Sequence, residues 1–219
     1  MADLHLSDLL NRKIHCECGE EHYCPIQDII VETGALEKLP GLLEKYGWKD
    51  ILLVSDDNTE EACGKRVKEI LRAAGIPYDE KIFHTGKEML VPDELTGFYL
   101  LEAADPKKDA LIAIGSGVLN DLCKYVSYKM GKPYLVVATA PSMDGYASSH
   151  SPFIARHMKE TYPSQMPTAI VGDVEVLKNA PMDMILSGYG DIMGKCSSLC
   201  DWKLSNIVMD VPYCEFIAG

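Results

Sequence analysis

Short, unbroken apolar runs recur along the chain, at Ile29-Ile-Val31, Ile51-Leu-Leu-Val54, Leu111-Ile-Ala-Ile114 and Tyr134-Leu-Val-Val-Ala138. Between them apolar residues return every three or four positions, the spacing of a helix with one buried face. The pattern predicts a strand at 28–32, a helix at 35–46 ended by Gly47, a strand at 50–55 and a helix at 60–74 closed by Gly75. A strand at 78–84 and a helix at 92–104 follow, then the strand from Leu111, a helix opened by a glycine turn, and the strand from Tyr134. Strands that are apolar at every position are covered on both faces, so the expected class is α/β, a doubly wound parallel sheet. In such a sheet ligands bind at the carboxyl ends of neighbouring strands. Gly115 to Asp121 and Thr139 to Ser148 are therefore expected to face one pocket.

The two ends of the chain read differently. Cys16-Glu-Cys18, His22 and Cys24 cluster around Gly19, where a two-stranded hairpin would turn; the alternative, a metal site of soft ligands, matches no standard zinc spacing locally. From Asp183 the apolar residues fall at helical spacing over a stretch too long for a strand, as expected for the first helix of a second, all-helical domain or for a helix that docks on the sheet domain. The expected division is an N-terminal extension and hairpin at 1–27, an α/β nucleotide-binding domain at 28–180, and the beginning of a truncated helical domain at 181–219.

Composition narrows the partners. The 219 residues are 47% hydrophobic and 25% charged, enough to bury a real core. A formal net charge of −12 repels phosphate backbones and anionic lipid, which argues against nucleic acid and membrane partners. No run approaches the roughly 18 apolar residues of a membrane span, and Met1-Ala-Asp-Leu-His5 lacks an export signal, so a cytoplasmic location is expected. Eight cysteines are then expected as free thiols.

Four stretches carry candidate chemistry. Gly115-Ser-Gly117 ends a strand and opens a helix, where backbone amides and the positive helix end can hold a pyrophosphate; a tight turn without a ligand has the same spacing. Asp56-Asp-Asn-Thr59 ends an earlier strand, where a carboxylate can accept from a ribose diol, or where Asn58 or Thr59 can cap the next helix. Thr139-Ala-Pro-Ser-Met-Asp-Gly-Tyr-Ala-Ser148 places hydroxyls and one carboxylate in a loop on a rigid strand. Asp191 sits in Gly188-Tyr-Gly-Asp-Ile-Met-Gly194, whose small residues permit close approach of a ligand or another backbone.

Together these stretches resemble the glycerol-1-phosphate dehydrogenases, within the superfamily of iron-containing alcohol dehydrogenases, glycerol dehydrogenases and dehydroquinate synthases. The resemblance rests on Val54–Thr59, Gly115–Lys124, Thr139–Ser148 and Ser187–Lys195. It implies a Rossmann-like, dehydroquinate synthase-like sheet domain binding NAD or NADP. Asp56 would bind the adenosine ribose, Gly115, Ser116, Gly117, Val118 and Leu119 would cradle the pyrophosphate, and Asp121 would steady it. Thr139, Ser142 and Ser148 would line the nicotinamide half. Asp144 would contact the substrate, and Asp191 would ligate a divalent metal, Zn, Ni or Fe, beside it. Ser116 stands where many relatives have glycine, a change a backbone-reading turn absorbs. The N-terminal hairpin also resembles one in the bacterial branch, where the resemblance implies no metal.

The implied reaction is the reversible reduction of dihydroxyacetone phosphate, a small phosphorylated polyol precursor, to sn-glycerol 1-phosphate, in a homo-oligomeric full-length enzyme. The family completes its metal site with two later histidines, yet all six histidines here precede Asp191. The chain is therefore expected to bind NAD weakly at best and to turn over nothing by itself. Competing readings are another polyol dehydrogenase, a non-catalytic nucleotide-binding remnant and, ranked last, a dehydroquinate synthase.

Overall fold

The structure, a computed structural model, describes residues 5–86 and 88–219. A short helix α1 (Leu6–Leu9) precedes an antiparallel hairpin, β1 (Lys13–His15) and β2 (Glu21–Tyr23), turned at Gly19 with φ 88°. The sheet begins at β3 (Asp28–Glu32), the predicted strand. The predicted helix at 35–46 is split into a 3₁₀ turn at Ala35–Lys38 and α2 (Leu39–Tyr46), because Pro40 starts a new first turn rather than continuing the old one. After β4 (Ile51–Asp56) comes α3 (Asp57–Thr59), a wider π-type turn at Glu60–Gly64, and α4 (Lys65–Ala73). Next in the chain are β5 (Tyr78–Phe83), α5 (Glu94–Ala103), β6 (Ala110–Gly115), α6 (Gly117–Met130) and β7 (Tyr134–Ala138).

A second hairpin, β8 (His150–Ala155) and β9 (Met158–Pro163), then leads to β10 (Ala169–Asp173) and α7 (Val174–Leu177). The sequence pattern did not resolve this hairpin. Its turn, Arg156-His157, adopts φ of 52° and 63°, the left-handed pair of a two-residue turn, but without the Asn or Gly that normally signals one. Pro152 and Pro163 inside the strands also mask the pattern. The chain ends in α8 (Met182–Met209), a helix of 28 residues, and α9 (Glu215–Ala218).

Six strands form one parallel sheet in the order β3-β10-β7-β6-β4-β5. Residues of β4 alternate between its faces: Ile51 and Leu53 join Leu39, Leu43, Val67 and Leu71, while Leu52 and Val54 join Leu100, Leu122 and Val126. Both faces are thus dry, as the unbroken apolar runs require. Among the described residues no helix is long and apolar enough to cross a membrane.

Candidate functional site

Two loops leave the centre of the sheet together. The last pair between β6 and β7 is Gly115 with Ala138, and Thr139 N–H then donates to Gly115 O at 3.3 Å. Asp56, two residues beyond the paired Val54 and Ala113 of β4 and β6, closes the other side at the spacing of one strand, about 5 Å. The three strand ends that carry the candidate residues therefore lie side by side at one edge of the sheet.

The glycine turn is built for a backbone contact. A Cβ on Gly115 would lie 2.6 Å from Leu119 Cδ1 and 2.7 Å from its Cβ, so no side chain fits there. A Cβ on Gly117 would meet only Met143 Sδ at 3.8 Å, so that face is open. Ser116 is the N-cap of the 14-residue helix α6, but its side chain makes no capping bond. Ser116, Gly117 and Val118 are partly exposed while Leu119 and Asn120 are buried. Helix-end amides with no side-chain cap and open space before them fit an anionic phosphate group.

Asp56 itself, rather than Asn58 or Thr59, caps the following helix, with Oδ1 accepting from Thr59 N–H at 2.8 Å. That bond orients the carboxylate at the strand end. Its neighbour Asp57 accepts from Thr85 and Gly86 amides at 3.0 and 3.2 Å and pairs with His84 at 2.7 Å; the bond to His84 leads in holding its carboxyl below the usual range.

The second loop is held from beneath. Lys124, buried on α6, points Nζ at Gly145 O (3.0 Å), His150 O (3.2 Å) and Asp121 Oδ1 (3.4 Å). Burial pushes the Asp121 carboxyl up to about 6 and lowers the Lys124 ammonium. Asp121 thus lies under the loop, on Lys124, rather than at the open face of the turn. Tyr146 Oη donates to Ala140 O at 2.7 Å, and Ser148 Oγ donates to His150 O at 3.1 Å. Thr139 is buried and Ser142 partly exposed. Lys124 had a partial sequence signal: it follows Asp121 by three, the spacing of neighbours on one helix face.

Helix α8 docks on the same loop. An added Cβ on Gly188 would sit 1.8 Å from Pro141 O, so the helix rests directly on that backbone. One turn on, Asp191 Oδ2 accepts from Asp144 N–H at 2.8 Å, and Lys195 pairs with the Asp144 carboxylate. The Lys195 hydrogen bond leads in lowering the Asp144 carboxyl. Asp144 and Asp191, 47 residues apart, are therefore neighbours; the Lys195 pairing had no sequence signal. Among the described residues, the one group of three or more His, Cys, Asp or Glu side chains close enough to share an ion lies elsewhere, so nothing joins Asp191 in a metal site. A cavity of about 430 Å³ opens between α5 and the β8–β9 turn, lined by Asp93, Phe98, Ile154 and Arg156, but none of the sequence-predicted residues borders it.

The architecture has known counterparts. The chain is 35% identical over 204 residues to the glycerol-1-phosphate dehydrogenase [NAD(P)+] of Halalkalibacterium halodurans, an alignment covering 92% of this chain and 51% of that protein. It is 36% identical to the protein of the same name from Bacillus velezensis, covering 87% of this chain and 48% of that one. The chain spans about half the length of the curated relatives it matches. Among solved structures, glycerol dehydrogenase from Schizosaccharomyces pombe superposes with a TM-score of 0.69 at 20% identity, covering 83% of this chain and 45% of that one, which bears on the fold alone. Residues 30–181, from the first strand of the sheet to the start of α8, match the family model for iron-containing alcohol dehydrogenase, and the chain belongs to that family.

Proposed function

We propose that this chain supplies the nucleotide-binding half of an NAD(P)-dependent glycerol-1-phosphate dehydrogenase, reducing dihydroxyacetone phosphate to sn-glycerol 1-phosphate. The observation that carries the reading is the convergence of the uncapped glycine turn, Asp56 and the Thr139–Ser148 loop at three neighbouring strand ends. The turn from Gly115 to Leu119 holds the pyrophosphate through backbone amides. The free Asp56 oxygen accepts from the adenosine ribose, and its charge disfavours a 2′-phosphate, which leans the site toward NAD. Thr139, Ser142 and Ser148 line the nicotinamide side, Asp121 acts through Lys124 on the loop, and Asp144 faces the substrate. When bound, the nicotinamide supplies the hydride; this chain's residues orient it. Residues 1–27, 28–180 and 181–219 are then an extension, the nucleotide domain and the start of a helical domain.

Asp191 offers a carboxylate, oriented by the bond from the Asp144 amide, that would be one ligand of a divalent metal, and one ligand by itself does not make a site. The same observation favours a second reading, a nucleotide-binding chain without turnover. Titration of the chain with NADH, followed by nicotinamide fluorescence, is expected to give weak binding that Gly117→Val abolishes while the circular dichroism stays unchanged. No binding at millimolar NADH would remove the dehydrogenase reading. Metal-dependent oxidation of NADH by dihydroxyacetone phosphate with the chain alone would remove the second.

A further inference from the structure

The ligand group noted above joins the two ends of the chain. Cys16 and Cys18 stand on the turn of the β1–β2 hairpin, His22 lies on β2, and Cys214 is the N-cap of α9, 198 residues after Cys16. Cys16 Sγ lies 3.5 Å from Cys214 Sγ, His22 Nε2 lies 3.3 Å from Cys214 Sγ and 3.4 Å from Cys18 Sγ, and all four ligand atoms fall within 4.8 Å of one another. A tetrahedral zinc with Zn–S of about 2.3 Å and Zn–N of about 2.0–2.1 Å requires edges of about 3.8 Å between sulfurs and about 3.5 Å between sulfur and nitrogen. Three of the six separations, at 3.3–3.5 Å, are those edges slightly contracted, and the other three lie within 4.8 Å.

We propose that Cys16, Cys18, His22 and Cys214 form a structural zinc site that clips the N-terminal hairpin to the segment following α8. Three thiols and one imidazole are a soft set that selects zinc over the oxygen-preferring divalent cations, and four protein ligands leave no open position for a reacting group. On binding, zinc displaces the thiol protons to solvent, and neutral His22 coordinates through Nε2. Cys24 is not part of the set: it bridges to Leu10 across the base of the hairpin.

The need for such a clip is visible in what it joins. The hairpin strands are three residues each and have only one partly buried position apiece, too little apolar area to hold them. Apart from the contacts of Cys214 and Phe216 with the hairpin, the distal segment is tied, among the described residues, to the end of α8, through Trp202 Nε1–H to Pro212 O (2.9 Å), Asn206 Nδ2–H to Val211 O (2.8 Å) and Lys203 to Glu215 (2.6 Å). Phe216 stacks on the His22 ring with centroids 5.9 Å apart. A metal therefore contributes the stability that burial does not, and it restrains the far end of α8 while Gly188 restrains the near end.

The test is metal analysis of the full 219-residue chain, purified from zinc-supplied cells and passed over a desalting column in a weak chelator. We expect one equivalent of zinc, retained in Asp191→Asn and reduced at least tenfold in Cys18→Ser and Cys214→Ser. A full equivalent in Cys214→Ser, or none in the unmodified chain after anaerobic reconstitution, overturns the proposal. Should the variants fail to fold, titration of the unmodified, reduced chain with cobalt(II) decides it. Intense thiolate-to-cobalt charge transfer and visible bands of tetrahedral cobalt, both displaced by zinc, support the site; weak octahedral bands alone refute it. A Cys16–Cys214 disulfide in the protein from reducing cells, read as a mass lower by two hydrogens, would also overturn it.

Discussion

Two glycines two residues apart make opposite demands. Alanine at Gly115 forces its methyl into Leu119, a buried side chain in the first turn of α6, and is expected to cost about 1–3 kcal/mol of stability in denaturant unfolding. Alanine at Gly117 meets only Met143 and is expected to leave the unfolding midpoint unchanged while weakening NADH binding, since its methyl fills the face before the amides. Lys124 and Asp121 make the complementary case for a buried charge. Lys124→Met strips donors from two carbonyls and a carboxylate, and is expected to cost about 3–5 kcal/mol at pH 8. The folded Asp121 carboxyl is raised to about 6, above its unfolded value of 3.8, so its proton-linked stabilisation is full below about pH 4 and is lost as pH rises through 6. Relative to Asp121→Asn, the unmodified protein is therefore expected to gain on the order of 1–3 kcal/mol on acidification from pH 7 to pH 4, measured by urea unfolding across that range. The glycine turn was legible in the sequence because turn chemistry is local, whereas the cap fell to Asp56 instead of Asn58 or Thr59 and Asp121 lies under the loop on Lys124. The buried role of Lys124 was legible only in part, since two of its three partners come from a loop more than 20 residues away.

At the scale of elements, the parallel strands were legible because unbroken apolar runs have few other uses, and the structure places β3, β4, β6 and β7 within a residue of the expected bounds. Elements whose pattern is broken by proline or by an unusual turn were not: the 3₁₀ start at Ala35 and the β8–β9 hairpin both follow from backbone geometry that side-chain periodicity does not encode. Helix α8 was expected, but its contact with the Thr139–Ser148 loop was visible only as a stripe of small residues. That contact admits a direct test. In Gly188→Ala the methyl would overlap the Pro141 carbonyl, a backbone atom that cannot swing aside, so α8 must lift. The Asp191 carboxylate then loses the Asp144 amide. A hydrogen bond to a charged acceptor contributes about 1.5–3 kcal/mol, so the Asp144 amide is expected to exchange with deuterium roughly 10- to 100-fold faster, with β6 and β7 amides unchanged. Unchanged exchange at Asp144 would mean that the helix and loop do not depend on this approach.

For the molecule as a whole, the core and the exposed surface are distributed unevenly. The sheet buries apolar side chains on both faces, whereas α8 buries only Gly188 along its 28 residues. Met182, Leu186, Tyr189 and Met193 succeed one another at helical spacing and are each at least half exposed, and Leu204, Ile207 and Val208 continue the exposure toward the far end. A contiguous apolar strip of this kind is rare on a monomer and drives association. The net charge of −12 opposes close approach of two copies, and salt screens that repulsion within about 10 Å at 0.1 M. Self-association of the chain should therefore strengthen as salt rises, the reverse of an ion-paired interface. Sedimentation velocity at 0.05 M and 0.5 M sodium chloride is expected to show the larger species gaining population at high salt. The double substitution Tyr189→Glu, Met193→Lys should return the chain to a monomer at both concentrations. Association that weakens with salt, or survives that substitution, would place the contact on some other face of the protein.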